Sequence, residues 1–367
     1  MEIEPSSSGA AAVVAAPATK TSGGLAGMHP AYFAMVMATG IVSVASYLMG
    51  LGLVAKVLLG LNVLFYVVLW VLLLVRCTRY PERVKADFLD HGRSVGFFTV
   101  DAGTCVLGSE LLIVGKLWLI PAILWGVGIG LWVVLTHGII TALTVKQVKP
   151  GLAEGINGGW LLPVVAAQSV ASLGAQLVSG FSEARQPDVL LFCLVVWLGA
   201  GMLYVWIISL IFYRYTFFPL NPSDLAPPYW INMGAVAIST LAGTMLLAAA
   251  ERSALLKELT PFIKGLTLLF WSTATLWVPM LVILGMWRHV YRRFPLRYDP
   301  LYWGAVFPLG MYTACTYRLT RVMDVGILEI VPKVFVYVAL GAWGLTMWGL
   351  VRQLMRPRSG APGTRMA

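Results

Sequence analysis

Five times along this chain one short pattern recurs, each time at the head of a long apolar segment. A Pro, Gly or Ser boundary comes first, then aromatic residues, then a small residue and hydroxyls. The copies are His29-Pro30-Ala31-Tyr32-Phe33 running to Thr39-Gly40, and Gly92-Arg93-Ser94 to Phe97-Phe98 with Gly103-Thr104. Next come Asn157-Gly158-Gly159-Trp160 with Pro163 and Gln168-Ser169, and Pro227-Pro228-Tyr229-Trp230 with Gly234 and Ser239-Thr240. The last is Asp299-Pro300 to Tyr302-Trp303 with Phe307-Pro308 and Thr313. The anchors Phe33, Phe98, Trp160, Trp230 and Trp303 lie 65, 62, 70 and 73 residues apart. A period of that length holds two helices long enough to cross a bilayer, at about 20 residues each. Five copies therefore predict ten spans, and five equivalent helices can ring an axis, which is the geometry of a pore.

Composition agrees. The chain is 59% hydrophobic and 11% charged, against about 25% charged residues in a soluble domain. The runs are long and continuous, as in Val57–Val75, so the spans are helices, since lipid leaves no partner for loose backbone groups. The fold class expected is an all-α polytopic membrane protein: ten transmembrane helices in five quasi-symmetric hairpins, with the five odd-numbered helices as an inner ring. The spans fall near 30–50, 54–76, 95–113, 117–143, 159–179, 188–213, 229–250, 262–290, 300–321 and 330–352. Residues 1–28 and 353–367 read as disordered cytoplasmic tails around a transport domain at 29–352. With an even number of spans both termini share one side. That side carries 17 of the 26 Lys and Arg, and the positive-inside rule makes it the cytoplasm. The segment from Pro81 to Asp90 reads as a short helix in the membrane interface, with Val84, Phe88 and Leu89 on its apolar face.

The odd spans hold most of the breakers, Gly40, Gly103, Pro163, Gly234 and Pro308, followed by the hydroxyls Thr39, Thr104, Ser169, Ser239, Thr240 and Thr313. Irregular, mildly polar helices are tolerated at membrane depth where they line a cavity. The alternative is that small residues only allow close packing of helices. The odd spans offer one obvious acid, Asp101, and no deep Lys or Arg, so selection would rest on pore width and on charge at the mouths. Arg93, Lys146, Arg214, Arg318 and Arg321 are the basic residues placed to serve there, and exposed juxtamembrane charge is their alternative reading. The net charge of +10 biases any such passage toward anions. Cys77, Cys105, Cys193 and Cys315 are too dispersed for a metal or redox site.

The stretches from His29 to Gly40 and from Trp303 to Gly310 resemble the first and ninth spans of the tellurite-resistance/dicarboxylate transporter family. That family includes bacterial TehA-like channels, yeast malate and sulfite transporters and plant slow anion channels. The resemblance runs over about residues 29–352. It implies a homotrimer in the cell membrane, one pore per protomer, and a phenylalanine in the ninth span that closes the pore. That residue corresponds to Phe307; Phe97 or Phe98 would be a second occluding aromatic in the third span. An apolar ring blocks ions by dewetting the constriction. The function implied is transport of C4-dicarboxylates or small inorganic anions. The alternative is a proton-coupled dicarboxylate carrier or a sulfite- or tellurite-related exporter, with Asp101 as proton site and His137 as its partner.

A membrane-embedded enzyme would need a nucleophile–base pair or a metal cluster. His29, His91, His137 and His289 are scattered and no such motif occurs. No metal, cofactor or nucleic acid is expected; the partners are a small anion and the lipid bilayer.

Overall fold

A computed structural model describes residues 24–355, so the tails expected at 1–28 and 353–367 fall almost wholly outside the described residues. The described chain is helical and contains no strand. Its helices are α1 (Ala34–Leu48), α2 (Gly52–Arg79), α3 (Pro81–Phe88), α4 (Phe98–Ile113), α5 (Leu119–Val145), α6 (Leu152–Gly155), α7 (Leu162–Leu177), α8 (Gln186–Phe217), α9 (Ile231–Ala248), α10 (Ala254–Glu258), α11 (Thr260–Met286), α12 (Trp303–Met323) and α13 (Ile330–Met355). Nine segments among the described residues are long and apolar enough to cross a membrane, against ten expected. The expected span missing from these nine is the ninth, at 300–321, where α12 lies. Arg318 and Arg321 in its last turns lower its hydropathy, yet it packs among the others as a full member.

The recurring pattern has a definite local structure. Each copy folds as a single 3-10 turn that opens an inner helix: Pro30–Phe33, Ser94–Phe97, Gly158–Leu161, Pro227–Trp230 and Pro300–Tyr302. Proline suits that position because its missing N–H is unpaired there anyway. His29, Asn157 and Asp299 cap three of the turns, each side chain accepting from the backbone N–H two residues on. Pro163 belongs to the same class: it lies in the first turn of α7, so it opens that helix rather than breaking it midway.

Helices α1, α4, α7, α9 and α12 form a closed ring, each packed on two neighbours, with α12 returning onto α1. Around them α2, α5, α8, α11 and α13 each lie against their hairpin partner and lean on the next inner helix. Burial separates the layers. The inner segments containing α1, α4, α7 and α9 are 83, 78, 94 and 94% buried, whereas the outer ones are 11 to 44% buried. The exposed outer surface is Leu, Val, Ile and aromatic, suited to lipid.

Lipid gives no hydrophobic drive to helix association, so close packing and hydrogen bonds hold the layers together. The glycines supply the close packing. A Cβ on Gly234 would stand 2.7 Å from Pro308 Cγ, and one on Gly40 would stand 2.8 Å from Asn62 Nδ2. The hydrogen bonds recur around the ring: each outer helix sends one aromatic side chain to the next inner helix. Tyr66 Oη lies 3.1 Å from Thr104 Oγ1. Trp125 donates to the Val170 carbonyl (3.0 Å) and Trp197 to the Ser239 carbonyl (2.8 Å). Trp271 donates to Thr316 Oγ1 and Trp343 to Thr39 Oγ1, both at 3.0 Å, and the last bond joins the end of the chain to its beginning. Thr39 and Thr104, expected to line a lumen, are thus part of this stitching.

On the face where the inner helices begin, Asp87 of α3 binds Arg76 and Arg93, both at 2.5 Å. Phe88 packs on Phe97 with ring centroids 5.8 Å apart. The interfacial helix read from the sequence is therefore clamped onto the mouth of the hairpin above it.

Candidate functional site

The ring encloses two small chambers, one above the other. The first is lined near the starts of the inner helices by Ala34, Thr99, Leu162, Ile231 and Phe307, one residue from each of the five. The second is lined further along the same helices by Ile41, Val106, Ser172, Ile238 and Met311, again one from each, with Ser109, Gln176 and Arg318 at its far end. All five helices therefore run the same way along one axis. Each chamber has about 20 Å³ of free volume. A water needs about 10–15 Å³ on that measure, so each holds a water or so and the conduit is shut.

Phe307 is 1% exposed and lines the first chamber; Met311, one turn further along α12, lines the second. At the level between them the other four helices carry alanines, Ala38, Ala102, Ala166 and Ala235, all fully buried. Pro308, inside α12, removes one helical N–H and seats its ring on Gly234.

The remaining candidates lie elsewhere. Phe97 and Phe98 line neither chamber, and Thr99 holds the axial position of that turn. Gly40, Gly103, Pro163, Gly234 and Pro308 line neither, because close packing and helix starts use them. Of the six hydroxyls, only Ser169 lines a chamber; the others bond to the preceding turn of their own helix or to an outer helix. Asp101 is fully buried on the outward side of α4, where a Cβ on Gly128 of α5 would meet its Oδ1 at 3.3 Å. His137 lies nine residues beyond Gly128, about 13 Å along α5, and is exposed. The structure does not bring the two together.

A second acid escaped the sequence reading. Glu110 is fully buried in α4 and accepts from Asn62 Nδ2 at 2.6 Å. It lies only three residues inside the expected end of its span at 113, where acids usually reach water. Its helical face, one turn beyond Val106, was the signal available.

The vestibule below the first chamber has about 580 Å³ and is lined by His29, Glu154, Asn157, Arg214 and Asp224; it shares Ala31, Leu162, Pro228 and Leu301 with that chamber. Five helix N-termini face it, and their partial positive charge favours anions at this mouth. Burial, and next the Arg93 guanidinium, push the His29 pKa down to about 4, which leaves its Nδ1 free to accept the Ala31 N–H.

Most basic residues at the mouths are already paired. Arg93 binds Asp87, Arg214 binds Asp224, Lys146 donates to the Leu89 carbonyl and Arg321 stands 3.8 Å from Glu329. Arg318 is the exception among them: it lines the second chamber and has no acidic partner among the described residues.

The family model described as voltage-dependent anion channel (SLAC1) matches residues 27–351. An uncharacterized membrane protein of Mycobacterium tuberculosis is 38% identical over 152 residues, 41% of this chain and 77% of the relative. An uncharacterized transporter of Methanocaldococcus jannaschii is 25% identical over 326 residues, 87% of this chain and 91% of the relative. A sulfite efflux pump of Arthroderma otae is 22% identical over 344 residues, 87% and 88% of the two chains.

Proposed function

Since the chain belongs to the voltage-dependent anion channel family, whose members are anion channels and transporters and not enzymes, we propose that it passes small oxyanions along the axis of its inner ring, with Phe307 as the gate. Sulfite is the first substrate to test and C4-dicarboxylates are the second. The observation that supports this reading is the pair of water-sized chambers, each lined by all five inner helices, with Phe307 on the first and Met311 on the second. A narrow, nearly uncharged conduit favours a small anion over a four-carbon one, and the likeness to a sulfite efflux pump supports the same choice. The dicarboxylate reading rests on the resemblance to a family that includes malate transporters.

Ten crossings, cytoplasmic termini, a plasma-membrane location and a homotrimer complete the proposal. Asp101 remains a candidate proton site, acting without His137. The test is reconstitution in liposomes with sulfite, nitrate, chloride, malate and succinate offered singly. Sulfite flux above protein-free vesicles, with slower or no malate flux, supports the reading. Flux of none of the five removes it, and malate flux faster than sulfite reverses the order of substrates.

A further inference from the structure

We propose that Arg318, with the hydroxyls of Ser109 and Ser172, forms an oxyanion-docking site at the end of the conduit remote from the termini, and that this site sets substrate preference. The inference rests on the transport reading above and deepens it.

Arg318 is the one charged side chain lining either chamber among the described residues. It is half-buried in an otherwise largely apolar cavity. An unpaired guanidinium in such a place is costly unless a counter-charge joins it. Three residues on, Arg321 does what a juxtamembrane arginine ordinarily does: it stacks on Tyr317 and faces Glu329. Arg318 has neither arrangement.

Across the ring, α4 and α7 present the complement. Gln176 Nε2 donates to Ser109 Oγ (3.2 Å), to Ser172 Oγ (3.1 Å) and to the Ser172 carbonyl (3.1 Å). The carbonyl contact fixes which end of the amide is the nitrogen. The amide's two protons are shared among these three oxygens, and no hydrogen bond donated by either serine hydroxyl occurs among the described residues. Ser169, one turn earlier, instead donates to the Val165 carbonyl (2.8 Å). Two hydroxyl donors and one planar cationic fork thus line one cavity. That is the donor set of an oxyanion or carboxylate; Gln176 Oε1 is left as an unpaired acceptor beside it, and the Arg318 charge disfavours a cation.

The experiment measures half-saturation concentrations for sulfite, succinate and chloride in proteoliposomes of wild type, Arg318→Gln, Arg318→Lys and the double variant Ser109→Ala/Ser172→Ala. A charged hydrogen-bond array lost to glutamine raises half-saturation for the oxyanions by at least about tenfold, with chloride shifted several-fold less. Lysine keeps the charge without the fork and falls between. A shift confined to sulfite makes the ligand a small inorganic oxyanion; one confined to succinate makes it a carboxylate. Unchanged half-saturation in Arg318→Gln, or sulfite, succinate and chloride shifted alike with full rescue by lysine, overturns the site. Should Arg318→Gln fail to fold, the serine double variant carries the test, and an unchanged oxyanion-to-chloride ratio overturns the proposal. A wild type that moves no anion is a separate result, which sinks the transport reading itself.

Discussion

Phe307→Ala is the sharpest perturbation of the gate. In the closed conduit, Phe307 lines the first of two chambers of about 20 Å³, and Met311, one turn further along α12, lines the second. Phe307 is the one aromatic side chain among the residues lining the first chamber, so alanine at 307 widens that chamber toward the second. The wild-type protein must displace the ring to conduct. A displaced form about 3 kcal/mol above the closed one is populated below 1%, and deleting the ring removes that term. Anion flux then rises on the order of 100-fold. The same change removes a fully buried side chain, which in a dry core costs about 3–5 kcal/mol of stability. The cost here falls at the low end, because water can enter the enlarged channel. The assay is anion efflux from proteoliposomes beside a thermal unfolding curve of the purified protein. Leu at 307 should give intermediate flux and Trp should stay closed. Flux within twofold of wild type from a folded Phe307→Ala protein refutes the gate, as does equal flux from the Leu and Ala variants.

Other outcomes follow from single contacts. His29 is held neutral, with its pKa pushed down to about 4 from 6.5. The unfolded chain therefore binds more protons between those values, and stability present above pH 6.5 falls by up to about 3 kcal/mol as pH drops to 4. His29→Asn keeps an acceptor for the Ala31 N–H, and its unfolding temperature should lose that part of the pH dependence; an identical profile would rule out His29 as its source. Trp343→Phe deletes the donor to Thr39 that joins the last outer helix to the first inner one. A double-mutant cycle with Thr39→Val should return a coupling of about 0.6 kcal/mol, and zero coupling would mean that the bond adds nothing.

The amino-acid sequence alone determined the layout. Membrane helices are written as long apolar runs, so the all-α membrane class and the helix ends were legible to within a few residues; nine of the ten expected segments are apolar enough to cross a membrane, and α12, with its two arginines, is not among them. The fivefold pattern was legible because it is local: each copy builds a 3-10 turn at the head of an inner helix. The resemblance singled out Phe307, which lines the first chamber. What each inner residue faces was not legible, because an inner helix is buried on every side and its hydrophobic period no longer marks one face. Gly40, Gly103 and Gly234 could line a lumen or admit a neighbour, and only the neighbour's position decided. Thr39 and Thr104 could wet a pore or bind an outer aromatic; the partners Trp343 and Tyr66 lie 304 and 38 residues away in the chain. Phe98 and Thr99 are adjacent in sequence, yet a 100° step around the helix puts only Thr99 on the axis. Separating Arg318 from Arg321 likewise required knowing which acid lay within reach of each, and that is a property of the packed ring.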